Sequence, residues 1–188
     1  MNITLIKHGR TDFNDQGKRQ GSTDLSLNNR GDKEVRSMIN EFKNKRFDVI
    51  FSSPLKRALE TAQILFPEQN IVKNDFLREY DFGELEGVRF SEPLENFPDN
   101  EVEEYNGKQF LIPSEGETFE HVAHRVERFV QLLLHGFGEE ANIAVVTHST
   151  VIEIMRAFCE GKEWSAYLGK DTYFHGYVEL ELAAGSKL

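Results

Sequence analysis

Two histidines and one arginine follow segments that are predicted to be buried strands. His8 comes directly after the first apolar run of the chain, and His148 comes directly after the most apolar one. Arg57 lies in the first turns of the helix predicted after a third such run. Open α/β sheets bind ligands at the carboxyl ends of their strands, and helices that begin there offer free N–H groups to an anion. Two histidines and an arginine at such a place suit a phosphate group.

The elements that must position these residues alternate between strand and helix. Short apolar runs predict strands, and longer runs with apolar residues at helical spacing predict helices. The predicted strands are 2–7, 48–52, 70–73, 142–147 and 177–182, and the predicted helices are 28–42, 55–65, 117–134 and 150–159. This alternation predicts one α/β domain over residues 1–188, with helices layered on a mostly parallel sheet.

The stretch from about residue 88 to residue 116 breaks this pattern. It has no clear period, and it carries clustered acids interleaved with four aromatic residues. These are Phe90, Phe97, Tyr105 and Phe110. A stretch of this length without periodicity is typical of a lid or an insertion. The aromatic side chains could line a substrate pocket or anchor the insertion to the body, and the sequence favours neither.

Charge and composition narrow the class of partner. The chain has 22 Lys and Arg against 32 Asp and Glu, a formal net charge of −10. Nucleic acid and anionic membranes are bound through basic residues, so we expect neither as a partner. The single cysteine and the start of the chain, which lacks a secretory signal, predict a cytoplasmic protein. The final Ser186, Lys187 and Leu188 match a peroxisomal address, but so short a motif often matches by chance.

Several motifs, in a fixed order, resemble those of the histidine phosphatase superfamily, also called phosphoglycerate-mutase-like. The run Lys7-His8-Gly9-Arg10-Thr11 resembles the family signature Arg-His-Gly-x-Thr. Further matches are the segments 20–27, 52–62, 77–87 and 147–149, and a variant match is the segment 113–118. One such motif would be a weak signal, but five in register from residue 3 to about residue 160 are specific.

The resemblance implies a three-layer α/β/α sandwich in which residues 88–116 form a lid over the strand ends. It implies that His8 is a nucleophile that becomes a phosphohistidine, and that Arg57 and His148 hold the phosphoryl oxygens. It makes Glu79 the general acid, which must carry a proton near neutral pH, so we expect its carboxyl to be partly buried. The further substrate-binding positions would be Thr11, Asn14, Gln20, Gly21 and Ser149. No metal and no cofactor is implied.

Lys7 stands where the family has arginine. A guanidinium is a planar fork that matches two phosphate oxygens, whereas an ammonium is a mobile point charge. Because His8, Arg57, Glu79 and His148 all remain, we predict a metal-independent phosphomonoester hydrolase that acts on a small phosphorylated metabolite. A cofactor-dependent phosphoglycerate mutase and a phospholigand-binding pseudoenzyme remain as alternatives. The sequence names neither the substrate nor the oligomeric state.

Overall fold

The structure is a computed structural model that describes residues 1–170 and 176–183; the C-terminal Ser186-Lys187-Leu188 motif lies outside the described residues. The strands are β1 (Asn2–Lys7), β2 (Val49–Ser52), β3 (Ile71–Lys73), β4 (Glu101–Tyr105), β5 (Lys108–Ile112), β6 (Asn142–Thr147) and β7 (Tyr177–Glu181). The α-helices are α1 (Asp12–Gln16), α2 (Asn29–Ser37), α3 (Ile39–Phe42), α4 (Lys56–Leu65), α5 (Phe119–Gly136) and α6 (Ser149–Cys159). None of the helices in the described residues is long and apolar enough to cross a membrane.

The central sheet has five strands in the order β3-β2-β6-β1-β7. Strands β1, β2, β3 and β6 run parallel, and β7 pairs antiparallel with β1 at the edge. The prediction of a mostly parallel sheet is therefore confirmed. This order places the carboxyl ends of β1, β2 and β6 side by side, so the residues after these strands meet at one end of the sheet.

Helices cover both faces of the sheet, because successive strand residues point to opposite sides. Ile3 and Leu5 pack into a core with α5 and α6, whereas Ile6 packs into a second core with α2, α3 and α4. In β6, Val145 belongs to the first core and Val146 to the second. Two cores on the two faces of one sheet make the three-layer sandwich that the family resemblance implies.

One predicted helix needs correction, and one short helix was not predicted. The Asn28 side chain caps α2 by accepting a hydrogen bond from the Gly31 N–H. The predicted helix 28–42, however, breaks at Met38 into α2 and α3. The short helix α1 had no apolar period to reveal it. A capping box stabilises its first turn: the side chains of Thr11 and Asn14 each accept a hydrogen bond from the other residue's backbone N–H.

The stretch 88–116 contains more regular structure than the sequence indicates. Strands β4 and β5 form a separate antiparallel hairpin, and Asn106 adopts the left-handed conformation in its turn (φ 54°). Tyr105 and Phe110 pack edge-on against Phe119 at the start of α5, with ring centroids 5.5 and 5.3 Å away. These two aromatic residues therefore anchor the insertion, whereas Phe90 is 61% exposed.

Candidate active site

His8 lies at the carboxyl end of β1 and is buried. Its Nδ1 is 2.7 Å from the Gly9 carbonyl oxygen, and its ring centroid is 5.0 Å from that of His148. The Gly9 N–H donates to the Thr61 hydroxyl at 3.0 Å, which holds the turn after the strand. A carbonyl oxygen only accepts, so this contact assigns the proton of a neutral His8 ring to Nδ1. The Nε2 atom then keeps its lone pair, as a nucleophile requires.

His148 is fully buried at the N-terminus of α6. Its Nδ1 is 3.3 Å from the Arg57 Nε–H, and its Nε2 is 2.8 Å from the Ser53 hydroxyl oxygen. Burial, reinforced by the charges of Arg57 and His8, lowers the pKa of His148 well below its usual 6.5. The ring is therefore neutral at physiological pH and adds no fixed positive charge; because Nδ1 accepts from Arg57, its proton lies on Nε2, which faces the Ser53 hydroxyl.

Arg57 lies in the first turn of α4, and its side chain is fully buried. Its guanidinium donates to backbone carbonyls of the preceding loop, at 2.9 Å to Thr23 and 2.7 Å to Gly21. Burial lowers the pKa of Arg57 to about 10, and Glu79 is the largest of the opposing charges. The side chain therefore remains a cation at neutral pH, in a fixed position and in the electrostatic range of Glu79.

The loop that receives Arg57 is pressed against the segment that follows Glu79. A Cβ atom on Gly21 would lie 2.3 Å from the Tyr80 carbonyl oxygen, so only glycine fits there. The Glu86 carboxylate accepts hydrogen bonds from the backbone N–H groups of Ser22 and Thr23. The motif segments 20–27 and 77–87 thus form one packed unit.

Glu79 has only 7% of its surface exposed, which confirms the expected burial of this carboxyl. Its Oε1 accepts from the Tyr80 backbone N–H at 2.9 Å. Arg125 in α5 donates to the Glu79 carbonyl at 3.1 Å and to the Arg78 carbonyl at 2.6 Å. The same guanidinium makes a two-pronged ion pair with Glu117, at 2.9 Å for each bond. Arg125 therefore fixes the backbone that carries Glu79.

Lys7 is the last residue of β1 and is half-buried. Burial lowers the pKa of Lys7 below its usual 10.5, and the negative charges of Glu79 and Glu153 partly oppose this effect. The ammonium therefore lies in the electrostatic range of Glu79. The charge that the family places on arginine is kept at this corner of the site, without the two-pronged geometry.

The predicted substrate-binding residues have several local functions. The Thr11 hydroxyl donates to the Gln20 side-chain oxygen at 2.5 Å and also contacts the Asn14 side-chain oxygen at 3.1 Å. Gln20 is buried, and its amide nitrogen has no hydrogen-bond partner among the described residues. Ser149 is the first residue of α6, directly after His148. Thr11, Asn14 and Gln20 thus form one cluster. In this cluster the Gln20 side-chain amide keeps free N–H donors.

Sequence reasoning missed the residues that position the site. Thr61 holds the turn after His8 and also donates to the Arg57 carbonyl at 2.7 Å. Thr61 and Glu86 stand inside motifs that resemble the family, so their position was a signal that could have been used. Arg125 gave no such signal, because an arginine on a long amphipathic helix is ordinarily a solvated residue.

Comparison with known proteins shows which family has this arrangement. The family model described as histidine phosphatase superfamily (branch 1) matches residues 3–186. Over 100 residues the chain is 40% identical to an uncharacterised phosphatase, PhoE, of Bacillus subtilis (strain 168). This match covers 52% of this chain and 52% of that protein. It is 28% identical over 188 residues to phosphoserine phosphatase 1 of Hydrogenobacter thermophilus, covering 96% of this chain and 87% of that relative.

The fold agrees with these matches. The crystal structure of the alpha-ribazole phosphatase from Shigella flexneri superposes with a TM-score of 0.79 at 22% identity, over 100% of this chain and 99% of that chain. Together with the family model, these findings confirm the predicted family, the predicted fold and the predicted class of enzyme, a phosphatase. The chain belongs to the histidine phosphatase superfamily, branch 1.

Proposed function

We propose that the protein is a metal-independent phosphomonoester hydrolase that works through a phosphohistidine on His8. The observation that carries this proposal is the 2.7 Å contact between His8 Nδ1 and the Gly9 carbonyl oxygen. That contact orients the ring and leaves Nε2 as the atom with the lone pair. Arg57 and Lys7 bring positive charge to the same end of the sheet, and the ring of His148 lies beside that of His8.

The reaction has two displacement steps. In the first, His8 Nε2 forms a bond to phosphorus while the ester P–O bond breaks, and Glu79 gives its proton to the leaving oxygen. In the second, a water oxygen attacks phosphorus, the N–P bond breaks, and Glu79 takes the proton of the water. Inorganic phosphate leaves, and both residues return to their initial protonation states.

The absence of a metal requirement follows from what phosphoryl transfer needs. The reaction demands in-line positioning and neutralisation of charged oxygens more than covalent chemistry from the protein. Arg57 and Lys7 supply two positive charges, and the amide of Gln20 supplies hydrogen-bond donors. This arrangement concentrates positive charge locally in a protein with a net charge of −10.

The substrate that we propose is a small phosphorylated metabolite that is processed in the cytoplasm. One relative is named a phosphoserine phosphatase and one structural neighbour an alpha-ribazole phosphatase, so the family accommodates small phosphorylated compounds of different shape. The hairpin insertion beside the site is where such differences in shape can be accommodated, because it packs on the sandwich from outside.

The test is hydrolysis of p-nitrophenyl phosphate in the presence of a chelator, by the wild type and by His8→Ala. We expect turnover that survives chelation and falls at least about a thousandfold in the variant. Rapid quenching in alkaline denaturant, followed by mass spectrometry under the same mild alkaline conditions, should find acid-labile phosphate on His8. Full activity of His8→Ala, or activity that needs an added divalent cation, would overturn the proposal. Binding of phosphoesters without turnover would identify the pseudoenzyme.

The mutase alternative needs a separate assay. A mutase must shield its phosphohistidine from water while the substrate reorients. Supplied with 3-phosphoglycerate and catalytic 2,3-bisphosphoglycerate, the protein should release phosphate and produce negligible 2-phosphoglycerate. Isomerisation that outruns phosphate release by orders of magnitude would identify a mutase instead.

A further inference from the structure

The side of the sheet that α6 covers carries a buried acidic residue near the end of β1. Ile3 and Leu5 pack into the core with α5 and α6, and side chains alternate along a strand, so Lys7 continues this row on the α6 side. Its register partner in β6 is Thr147, and α6 begins two residues after Thr147. Glu153, in the second turn of α6, is only 5% exposed. A buried acid and a half-buried base thus share one layer of the sandwich.

Glu153 is held in place by a turn that contacts the inserted hairpin. Its Oε2 accepts a hydrogen bond from the Gly169 N–H at 3.1 Å. Gly169 has a positive φ of 70°, and a Cβ atom there would lie 2.6 Å from the Phe110 ring. The Gly169 carbonyl also accepts a hydrogen bond from the Lys108 ammonium. The hairpin therefore fixes the turn, and the turn fixes the carboxyl group of Glu153.

The charges of the described residues around Lys7 have opposing effects. Burial lowers the pKa of Lys7, the negative charges of Glu79 and Glu153 raise it, and the positive charge of Arg10 lowers it. In the reaction that we propose, Glu79 carries a proton before the first step and loses it during that step, so its charge changes. Glu153 takes no part in that proton transfer. Of these two acids, Glu153 is therefore the one whose charge can stay constant through the reaction.

A lysine at this position needs such a partner more than an arginine does. A guanidinium stays charged even where it is buried, whereas burial readily removes the proton of an ammonium. A buried charge is also costly unless it is paired. Because Lys7 stands where the family has arginine, a fixed carboxylate on the same side of the sheet supplies what the ammonium lacks.

We propose that Glu153 is a positioning residue for the phosphatase reaction: it is the fixed counter-charge of Lys7 and holds the ammonium at the phosphate-binding end of the sheet. Glu153 acts through Lys7 and transfers no proton itself. Its charge compensates for the replacement of arginine by lysine in the motif that contains His8. The inference rests on the proposed function and deepens it, because it explains how a lysine can stay charged at this position.

The experiment measures kcat/KM for p-nitrophenyl phosphate as a function of pH in Glu153→Gln, which removes the charge but keeps an oxygen for the Gly169 N–H. The alkaline limb of the profile should move to lower pH by at least about half a unit, because Lys7 then loses its proton more easily. In a Lys7→Arg background the same change should leave the limb in place, since a guanidinium keeps its charge. A limb that stays in place in Glu153→Gln, or that moves equally in both backgrounds, would overturn the proposal.

The matched control is Glu140→Gln, which removes the same charge from an exposed position. Its pH profile should coincide with that of the wild type. An equal shift of the alkaline limb in Glu140→Gln and Glu153→Gln would mean that the limb responds to the net charge of the protein, and the assignment of Glu153 would then be wrong.

Thermal unfolding tests the same pair without any turnover. Glu153→Gln leaves the buried charge of Lys7 without its partner, so we expect Tm to fall. In a Lys7→Met background no ammonium remains to be paired, and the same change should lower Tm less. Equal losses of Tm in the two backgrounds, or loss of folding in both, would show that Glu153 only supports the turn at Gly169. Because this cycle needs no activity, failure of the Glu153 proposal is distinguishable from failure of the phosphatase proposal.

Discussion

The carboxyl end of the sheet and the inserted hairpin are held in place by different kinds of contact. At the sheet end, Arg57 and His148 are fully buried and bonded to each other. Arg57 also donates to backbone carbonyls, and His148 contacts the Ser53 hydroxyl. The hairpin rests on the sandwich through aromatic contacts and through Leu111 and Ile112, which are buried. The Lys108 ammonium also donates to the Gly169 carbonyl, and the Asn106 amide donates to the Ser165 and Leu168 carbonyls. Strand β4 is mostly exposed.

This difference separates two requirements of the enzyme that we propose. Phosphoryl transfer needs groups that do not move when charge develops, and a densely bonded sheet end provides them. Recognition of the rest of a substrate tolerates looser parts, and elements with few buried contacts open most easily. Changes at the sheet end should therefore lower kcat, whereas changes in the hairpin should act on KM.

The largest effect is expected for Arg57→Met. This change removes a buried cation from the site and leaves the carbonyls of Gly21 and Thr23 without their donor. We expect kcat/KM to fall about a hundred- to a thousandfold, together with a lower melting temperature. Lys56→Met, which removes the adjacent exposed cation, serves as the control. If Arg57→Met affected KM alone, the sheet end would not be the rigid part of the site.

Arg125→Met should produce a smaller effect that depends on the leaving group. Arg125 contacts no reacting atom in our proposal; it positions the backbone of Glu79. A poor leaving group such as an alkoxide needs the proton of Glu79, whereas nitrophenolate leaves without one. We therefore expect about ten- to a hundredfold loss with an alkyl phosphate and less than about fivefold loss with p-nitrophenyl phosphate.

The control for this prediction is Arg128→Met, on the same helix α5, whose guanidinium packs over the Phe76 ring. Its losses should be small and equal for both substrates. Equal losses of both substrates in Arg125→Met would mean that this residue only stabilises the fold. Glu79→Gln should show the same dependence on leaving group as Arg125→Met, and more strongly.

Lys7→Arg is expected to raise activity. A guanidinium would restore the two-pronged contact to a phosphoryl oxygen pair, which corresponds to a gain of about five- to a hundredfold in kcat/KM. The pH profile gives a second measurement. Because burial lowers the pKa of Lys7, the wild type should lose activity on the alkaline side below pH 10.5 as the ammonium loses its proton. Lys7→Arg should move this alkaline limb upwards; an unchanged profile would show that Lys7 does not assist catalysis.

The sequence indicates the candidate catalytic residues, but less clearly the residues that support them. His8, Arg57 and His148 could be predicted because they follow apolar strands and stand in motifs with fixed spacing. Arg125 could not be predicted, because its function depends on carbonyls of a loop that is far away along the chain. The pairing of residues 17–20 with residues 87–90 has the same origin, because nothing in the local sequence indicates it.

Asn106 was also beyond sequence reasoning, since the hairpin 101–112 shows alternation too weak to recognise in so acidic a stretch. The cytoplasmic location and the roles of the individual site residues stay predictions. Measurements in the cell test the location, and the variants described above test the roles of the residues.

The smallest effect is expected at the hairpin turn, where two variants separate backbone conformation from attachment. Asn106→Gly keeps the positive φ but removes the amide that donates to Ser165 and Leu168; Asn106→Ala removes the amide and adds strain at φ 54°. We expect Asn106→Gly to raise KM by less than about tenfold with kcat retained, and Asn106→Ala to weaken the hairpin by about 1 kcal/mol more. Hydrogen exchange of residues 101–112 measures that difference directly, because opening of the hairpin exposes its backbone N–H groups. A fall in kcat without a change in exchange would mean that the hairpin takes part in the chemical step, and the contrast between the two regions would then be wrong.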